Sequence, residues 1–153
     1  MRILVISDSH GMPSRILDAV EAHPEAEALI FLGDGESDIE MLESYCRSLP
    51  SMIRVAGNCD FSSKLPLMRV VTLGGKKIYC THGHTEHVKY GTDELICRAR
   101  QEGADIVLYG HTHSGVTAYD DGLYIMNPGS IRYGHYGMID IVPGGIMLNE
   151  AKL

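Results

Sequence analysis

Seven side chains that can bind a metal ion follow five apolar segments, each of which predicts a β-strand. They are Asp8, His10, Asp34, Asn58, His82, His111 and His113. In open α/β sheets, ligands bind outside the carboxyl ends of the strands. If the five strands are mostly parallel neighbours, we therefore expect all seven side chains to converge on one edge. Asp8 and His10 are two residues apart, as are His111 and His113. In an extended chain this spacing places both members of a pair on the same face of the strand.

The donors are two carboxylates, one amide and four imidazoles, without a thiolate. Mixed nitrogen and oxygen ligands suit manganese, iron, cobalt, nickel or zinc rather than a cysteine-rich structural zinc site. Seven ligands exceed the needs of one tetrahedral ion, and if one carboxylate bridges, they can hold two ions about 3.5–4 Å apart. Two divalent ions, the two carboxylates and a bridging hydroxide would carry a charge of about +1, which suits a phosphate group but not a long polyanion.

The composition is that of one ordinary globular domain, which we assign to residues 1–153. Hydrophobic residues make up 44% of the chain and charged residues 22%. The formal net charge is −7, and without a basic run it argues against a nucleic-acid-binding face. No apolar segment has the roughly 18 residues of a membrane span. The four cysteines form no CxxC pair and we find no secretion signal, so we expect reduced thiols and a cytoplasmic location.

The first third of the chain predicts alternating strands and helices. Short aliphatic runs at residues 2–7, 28–32 and 52–56 are typical of buried strands. Between them, residues 14–22 and 38–48 place apolar side chains at helical spacing. A β-α-β-α-β order implies right-handed crossovers and a parallel sheet.

The pattern changes after these elements, and the C-terminal third predicts mostly antiparallel strands. Three turn sequences, Gly74-Gly75 and those at residues 120–122 and 143–145, each lie between two apolar segments and predict hairpins. A helix is predicted over residues 92–102 and another strand over residues 106–109. Two sheets packed face to face, with helices outside, would accommodate all of these elements in one domain.

Five short motifs carry a resemblance to a known family. They read Asp8-Ser9-His10, Gly33-Asp34, Gly57-Asn58, Thr81-His82-Gly83-His84 and Gly110-His111-Thr112-His113. In this order they resemble the calcineurin-like metallophosphoesterase superfamily. The short chain and the segment Asn127-Pro128-Gly129-Ser130 resemble its subgroup of small bacterial and archaeal phosphodiesterases. The resemblance implies an α/β (α+β) fold, a four-layer sandwich of two mixed β-sheets flanked by helices.

The resemblance also divides the predicted ligands between two divalent metal ions, which spacing alone does not do for the last two histidines. The first ion would be bound by Asp8, His10, Asp34 and His113. The second would be bound by Asp34, Asn58, His82 and His111, so that Asp34 bridges the two ions. We expect manganese, with nickel, zinc, iron or cobalt as alternatives.

These residues predict a dinuclear metal-dependent phosphoesterase that hydrolyses small phosphodiesters by in-line attack of a metal-bridging hydroxide. Asn58 would stabilise charge on the non-bridging oxygens together with the metals. His84 would contact the phosphate or the leaving oxygen, or else hydrogen-bond a metal ligand. Arg132 is a further candidate for a phosphate contact.

Cys59 departs from the family pattern, in which many members have a histidine directly after the motif asparagine. That histidine is thought to aid the leaving group or to position the phosphate. A thiol with an ordinary pKa of about 8.5 is a poorer acid at neutral pH than imidazolium. The small phosphodiesterase subgroup often carries this cysteine. We therefore expect activity on diesters with good leaving groups and inefficient monoester hydrolysis, and the leaving-group acid stays unassigned.

Two other functions stay open. One is a non-catalytic protein-interaction scaffold, because the retromer subunit of this fold resembles the same subgroup, and the other is a phosphomonoesterase. A scaffold is free to lose metal ligands, whereas this chain has the full set. The net charge disfavours a nuclease. Tyr133 and Tyr136 could stack on a nucleobase or pack in the core. The natural substrate, the native metal and a homo-oligomeric state are not determined by the sequence.

Overall fold

The computed structural model describes all 153 residues as ten strands and three α-helices, with three short 3₁₀ segments. The strands are β1 (Arg2–Ile6), β2 (Ala28–Phe31), β3 (Ser51–Arg54), β4 (Met68–Leu73), β5 (Lys76–Thr81), β6 (Ile106–Leu108), β7 (Gly115–Asp120), β8 (Leu123–Pro128), β9 (His135–Val142) and β10 (Gly145–Lys152). The helices are α1 (Pro13–Ala22), α2 (Glu36–Tyr45) and α3 (Asp93–Gln101). The predicted order of elements is confirmed, and the predicted ends shift by a few residues. None of the helices is long and apolar enough to cross a membrane.

The strands form two mixed five-stranded sheets. The first has the order β10-β9-β1-β2-β3 and the second the order β4-β5-β6-β8-β7. In the first sheet β1, β2 and β3 run parallel, as the β-α-β-α-β pattern predicts. In the second sheet β5, β6 and β8 run parallel, and the hairpin partners β4 and β7 are antiparallel to them.

Three apolar clusters hold the layers together. The largest lies between the sheets and includes Ile30 from the first sheet and Ile106 from the second, both with no exposed surface. A second cluster packs α1 and α2 against the outer face of the first sheet, and a third packs α3 against the outer face of the second. This arrangement confirms the four-layer sandwich.

Two hairpins have the tight geometry that their turn sequences predict. Leu73 pairs with Lys76, so Gly74 and Gly75 alone form the loop, with φ of 54° and 75°. A two-residue loop with positive φ at both positions matches the right-handed twist of the flanking strands, and glycine adopts it without strain. The turn between β7 and β8 has the same form.

The strands that precede the candidate ligands do not all belong to one sheet. β1, β2 and β3 lie in the first sheet, whereas β5 and β6 lie in the second. The expectation of a single sheet edge is therefore wrong. The five loops meet instead at one end of the sandwich, where the amide of His111 donates to Asp8 Oδ2 across 3.1 Å.

We expect Ile30→Ala to lower the free energy of unfolding by about 2–5 kcal/mol, because it removes a fully buried side chain between the sheets. Val142→Ala is the control, since Val142 is 42% exposed at the end of β9, and it should change the free energy by less than about 0.5 kcal/mol. Urea denaturation measures both values. Equal losses in the two variants would contradict the assigned core.

Candidate metal centre

The loops that follow β2 and β3 touch through two glycines. A Cβ atom on Gly33 would overlap the backbone of Gly57, and a Cβ on Gly57 would overlap Asp34 Oδ1. Gly33 also has a φ of 95°, which L-residues rarely adopt. Glycine at both positions therefore lets the two loops approach closely, and this brings Asp34 beside the loop that follows β3.

Asp60 fastens these loops together. Its carboxylate accepts hydrogen bonds from the backbone amides of Asp34, Gly35 and Gly57 at 2.8 Å each and from that of Glu36 at 2.9 Å. A carboxylate has about four acceptor sites, so Asp60 has no capacity left for a metal ion. The sequence motifs did not point to Asp60, although aspartates in turns commonly accept hydrogen bonds from nearby backbone amides.

Five of the candidate ligands have a left-handed backbone. The φ angles are 59° for Asp8, 43° for His10, 60° for Asp34, 67° for His111 and 59° for His113. The expectation that two pairs share a face of an extended chain is therefore wrong. Such conformations cost on the order of 1–3 kcal/mol each and persist where the surroundings enforce them, often at functional sites.

Asp8 has one satisfied and one unsatisfied oxygen. Its Oδ2 accepts hydrogen bonds from Ser7 Oγ at 2.5 Å and from the amide of His111. Its Oδ1 is buried and has no hydrogen-bond partner, although the Nε2 atoms of His113 and His10 lie 3.1 Å and 3.5 Å away. A buried carboxylate oxygen facing imidazole nitrogens without a hydrogen bond is an arrangement that a cation would satisfy.

Asp34 lies between the other histidines. Its Oδ2 is 3.3 Å from His82 Nε2 and 3.7 Å from His10 Nε2, and its Oδ1 accepts the amide of Cys59 at 2.7 Å. Burial alone would raise the pKa of Asp34, but hydrogen bonds from His82 and Cys59 outweigh it and hold the pKa well below its usual range. Asp34 is thus ionised and able to face two cations.

His82 is fully buried and its ring is held in one tautomer. Its Nδ1 donates to the carbonyl of Leu32 at 2.7 Å, so Nε2 faces Asp34 and lies 3.1 Å from Asn58 Oδ1. Burial lowers the pKa of His82, but the carboxylates of Asp34 and Asp8 more than reverse this and raise it. A hydrogen bond that fixes the second ring nitrogen is typical of metal-binding histidines.

The donor atoms form three overlapping groups, each with its atoms within 4.8 Å of one another. The groups are Asp8, His10 and His113; Asp34, His82 and His111; and His10, Asp34 and Cys59. Asn58 Oδ1 lies beside the second group. The structure thus brings all seven predicted ligands together and places the two histidines of the Gly110–His113 motif in different donor groups.

The other candidate residues surround this cluster. The ring of His84 lies 5.5 Å from that of His82 and 6.1 Å from that of His111, and burial lowers its pKa. Its Nδ1 is buried without a partner. Arg132 is exposed, and its amide donates to the carbonyl of Asp8 at 3.4 Å. Burial and the charge of Asp34 raise the pKa of Cys59, so this thiol is protonated at neutral pH.

The segment Asn127-Pro128-Gly129-Ser130, at the end of β8, makes hydrogen bonds to two of the ligand loops. Asn127 is buried, and its Nδ2 donates to the carbonyl of Gly110 and to Thr112 Oγ1 within the histidine loop. Ser130 Oγ donates to the carbonyl of Asp8 at 2.8 Å. The segment therefore braces both loops that carry the first group of donors.

The two candidate tyrosines differ in accessibility. Tyr133 is 61% exposed, and its ring lies 6.5 Å from that of His113. Tyr136 is buried, and its hydroxyl hydrogen-bonds with His23 at 2.9 Å. Only Tyr133 has a ring face available to a ligand.

Comparison with known sequences agrees with this geometry. A family model described as the calcineurin-like phosphoesterase superfamily domain matches residues 1–141. The chain is 35% identical to probable metallophosphoesterase YsnB of Bacillus subtilis, across 86% of this chain and 76% of that protein. It is also 35% identical to vacuolar protein sorting-associated protein 29 of Schizosaccharomyces pombe, across 85% of this chain and 72% of that protein. Its identity to phosphodiesterase YfcE of Escherichia coli is 28%, across 100% of this chain and 95% of that protein.

A solved structure shares the whole architecture. It is the crystal structure of a conserved protein of Streptococcus pneumoniae, described as a predicted phosphoesterase. The two structures superpose with a TM-score of 0.78 at 26% sequence identity, covering 98% of this chain and 97% of the other. The fold is therefore common to both over nearly their full length.

We expect Asp60→Asn to lower the free energy of unfolding by about 3 kcal/mol, because an amide cannot accept all four backbone hydrogen bonds and directs its own N–H groups at donors. Asp18→Asn, at an exposed position on α1, is the control and should leave the free energy unchanged. Chemical denaturation followed by circular dichroism measures both. A wild-type value for Asp60→Asn would show that the loops are held by other contacts.

Proposed function

The chain belongs to the calcineurin-like phosphoesterase superfamily, and from that premise we propose that it is a dinuclear metal-dependent phosphodiesterase acting on small phosphodiesters. The observation that carries the proposal is a pair of neighbouring donor groups, one with Asp8 and one with Asp34, between which His10 Nε2 lies 3.7 Å from Asp34 Oδ2. In the first group Asp8 Oδ1 is buried among imidazoles without a hydrogen-bond partner. The similarity to a protein named as a phosphodiesterase supports diesters as the substrate class.

Each predicted ligand has a place in this proposal. The first cation would be held by Asp8, His10, Asp34 and His113. The second would be held by Asp34, Asn58, His82 and His111. Two divalent cations, when bound, supply positive charge for the phosphate group and lower the pKa of the water that attacks phosphorus in line.

The chain's own residues bind and orient the substrate around this centre. Asn58 Oδ1 points to His82, and Asn58 Nδ2 lies 3.3 Å from Cys59 Sγ on the exposed side, where it can donate to a phosphate oxygen. His84, whose lowered pKa keeps it neutral, can offer one N–H to the substrate. Arg132 makes no side-chain hydrogen bond within the protein and can reach toward a phosphate from the rim.

Cys59 is the residue that separates diesters from monoesters in this proposal. Its raised pKa keeps the thiol protonated but makes it a weak acid, so it gives little help to a poor leaving group. A diester with a good leaving group needs no such help. The proposed enzyme is therefore slow on monoesters of ordinary alcohols.

A protein-interaction scaffold is the second candidate function. The observation that favours it is the 35% identity to vacuolar protein sorting-associated protein 29 of Schizosaccharomyces pombe. The complete donor set and the backbone strain at five of its members favour catalysis instead, because a scaffold has no need to maintain either.

The proposed metal, domain bounds, location and oligomeric state rest on the sequence and on the chemistry of the donors. Imidazole, carboxylate and amide donors support manganese, with nickel, zinc, iron or cobalt as alternatives. One metallophosphoesterase domain over residues 1–153, a cytoplasmic location and a homo-oligomer stay predictions. Elemental analysis of the purified protein would identify the metal.

We expect Asp34→Asn to lower kcat for bis-p-nitrophenyl phosphate at least about a hundredfold, because it removes the carboxylate that this proposal shares between the two cations. Chelation with EDTA should abolish turnover, and added Mn²⁺ should restore it. Asp18→Asn is the matched control and should keep wild-type kcat. Turnover by a metal-free preparation would contradict the proposal.

We expect the wild type to hydrolyse bis-p-nitrophenyl phosphate faster than p-nitrophenyl phosphate. Cys59→His should raise the kcat for the monoester about tenfold or more, because imidazolium is a better proton donor at neutral pH. Cys97→His, at an exposed position on α3, is the control and should have no effect. Faster monoester turnover by the wild type would overturn our interpretation of Cys59.

A further inference from the structure

A cavity of about 730 Å³ opens directly beside the candidate metal centre. Cys59 and Asp60 line it, and the amide of Cys59 is hydrogen-bonded to Asp34 at 2.7 Å. Cys59 Sγ also lies within 4.8 Å of the donor atoms of His10 and Asp34. A phosphodiester bound at the centre would therefore direct one of its two ester arms into this cavity.

Carboxylates dominate the charge of the cavity. Glu36 and Glu40 stand one turn apart on α2, and both side chains line it without forming an ion pair. Asp60 adds a third carboxylate, whose oxygens are occupied by backbone amides. Lys64 is the single basic residue in the lining, so the cavity carries net negative charge. An ester arm with a second phosphate would be repelled here.

An aromatic ring faces the same space. Phe61 lines the cavity and is 88% exposed, whereas the other phenylalanine of the chain, Phe31, is fully buried. An exposed ring gains nothing from core packing, and its face attracts a cation or an apolar group. Carboxylates and an aromatic face together are the surroundings that an alkylammonium group prefers.

We propose that this cavity binds an ester arm with a positively charged ammonium group, so that the substrates are phosphodiesters of short amino alcohols such as choline. The proposal rests on the proposed phosphodiesterase function and adds the substrate class. Glu36 and Glu40 supply the attraction to the cation, and Phe61 contacts its methyl or methylene groups. Hydroxyl groups of the lining serines complete a polar rim.

Competitive inhibition of bis-p-nitrophenyl phosphate hydrolysis tests the proposal. Methyl phosphorylcholine is compared with methyl 3,3-dimethylbutyl phosphate, an isostere in which carbon replaces nitrogen, so that the arm is uncharged and the phosphate keeps its negative charge. The methyl arm is small enough to lie on either side of the phosphate, so the larger arm is free to enter the cavity. We expect an inhibition constant about tenfold lower for the choline ester. In the double variant Glu36→Gln/Glu40→Gln the preference should fall to less than about twofold.

Glu21→Gln is the matched control, since Glu21 is exposed on α1 and does not line this cavity, and it should keep the full preference. Equal inhibition constants for the two esters in the wild type would overturn the proposal and leave the phosphodiesterase function standing. Absence of any diester hydrolysis would overturn the phosphodiesterase function instead.

A binding measurement that needs no turnover completes the test. With Zn²⁺-loaded protein, which is diamagnetic, the trimethylammonium protons of phosphocholine should shift upfield on binding because of the ring current of Phe61. Phe61→Leu should remove that shift. An unchanged shift in Phe61→Leu would place the ammonium group elsewhere and contradict the proposal.

Discussion

The constraint on which this structure depends is electrostatic. Two buried carboxylates, Asp8 and Asp34, face imidazole nitrogens at 3.1–3.7 Å at one end of the sandwich. The carboxylates of Asp34 and Asp8 raise the pKa of His82, and the hydrogen bond and charge of His82 lower the pKa of Asp34. Asp8 Oδ1 still has no hydrogen bond. A cation bound here would offset the cost of burying these groups, so the arrangement would favour metal binding.

A set of hydrogen bonds from uncharged groups keeps the donors in place despite the cost of burying them. The carbonyl of Leu32 fixes the ring of His82, and Asn127 and Ser130 brace the loops that carry His111 and Asp8. Asn127 lies in β8, and Leu32 and Ser130 lie one and two residues past the ends of β2 and β8. The strained backbone of the ligands is therefore maintained by contacts at the ends of the packed sheets.

In the proposed enzyme, catalysis and recognition would occupy different parts of this end of the molecule. The donors lie on loops at the ends of strands from both sheets, whereas the acidic cavity is built by α2 and the loop from residue 59 to residue 64. Asp60 links the two parts, because it binds the loop of Asp34 and also lines the cavity. Substitution of Glu36 or Phe61 can therefore change the preferred ester arm without moving the donors.

The sequence by itself determined the elements and the chemistry of the centre. Hydrophobic periodicity and turn residues such as Gly74-Gly75 are local, so they predict strands, helices and hairpins, and the donor types point to metal chemistry. The tertiary structure decided the rest: the division of the strand-end loops between two sheets, the left-handed backbone at Asp8 and His111, the clamp by Asp60 and the charged cavity beside it. These features depend on contacts between residues far apart in the chain, and local patterns carry no information about which distant loops will meet.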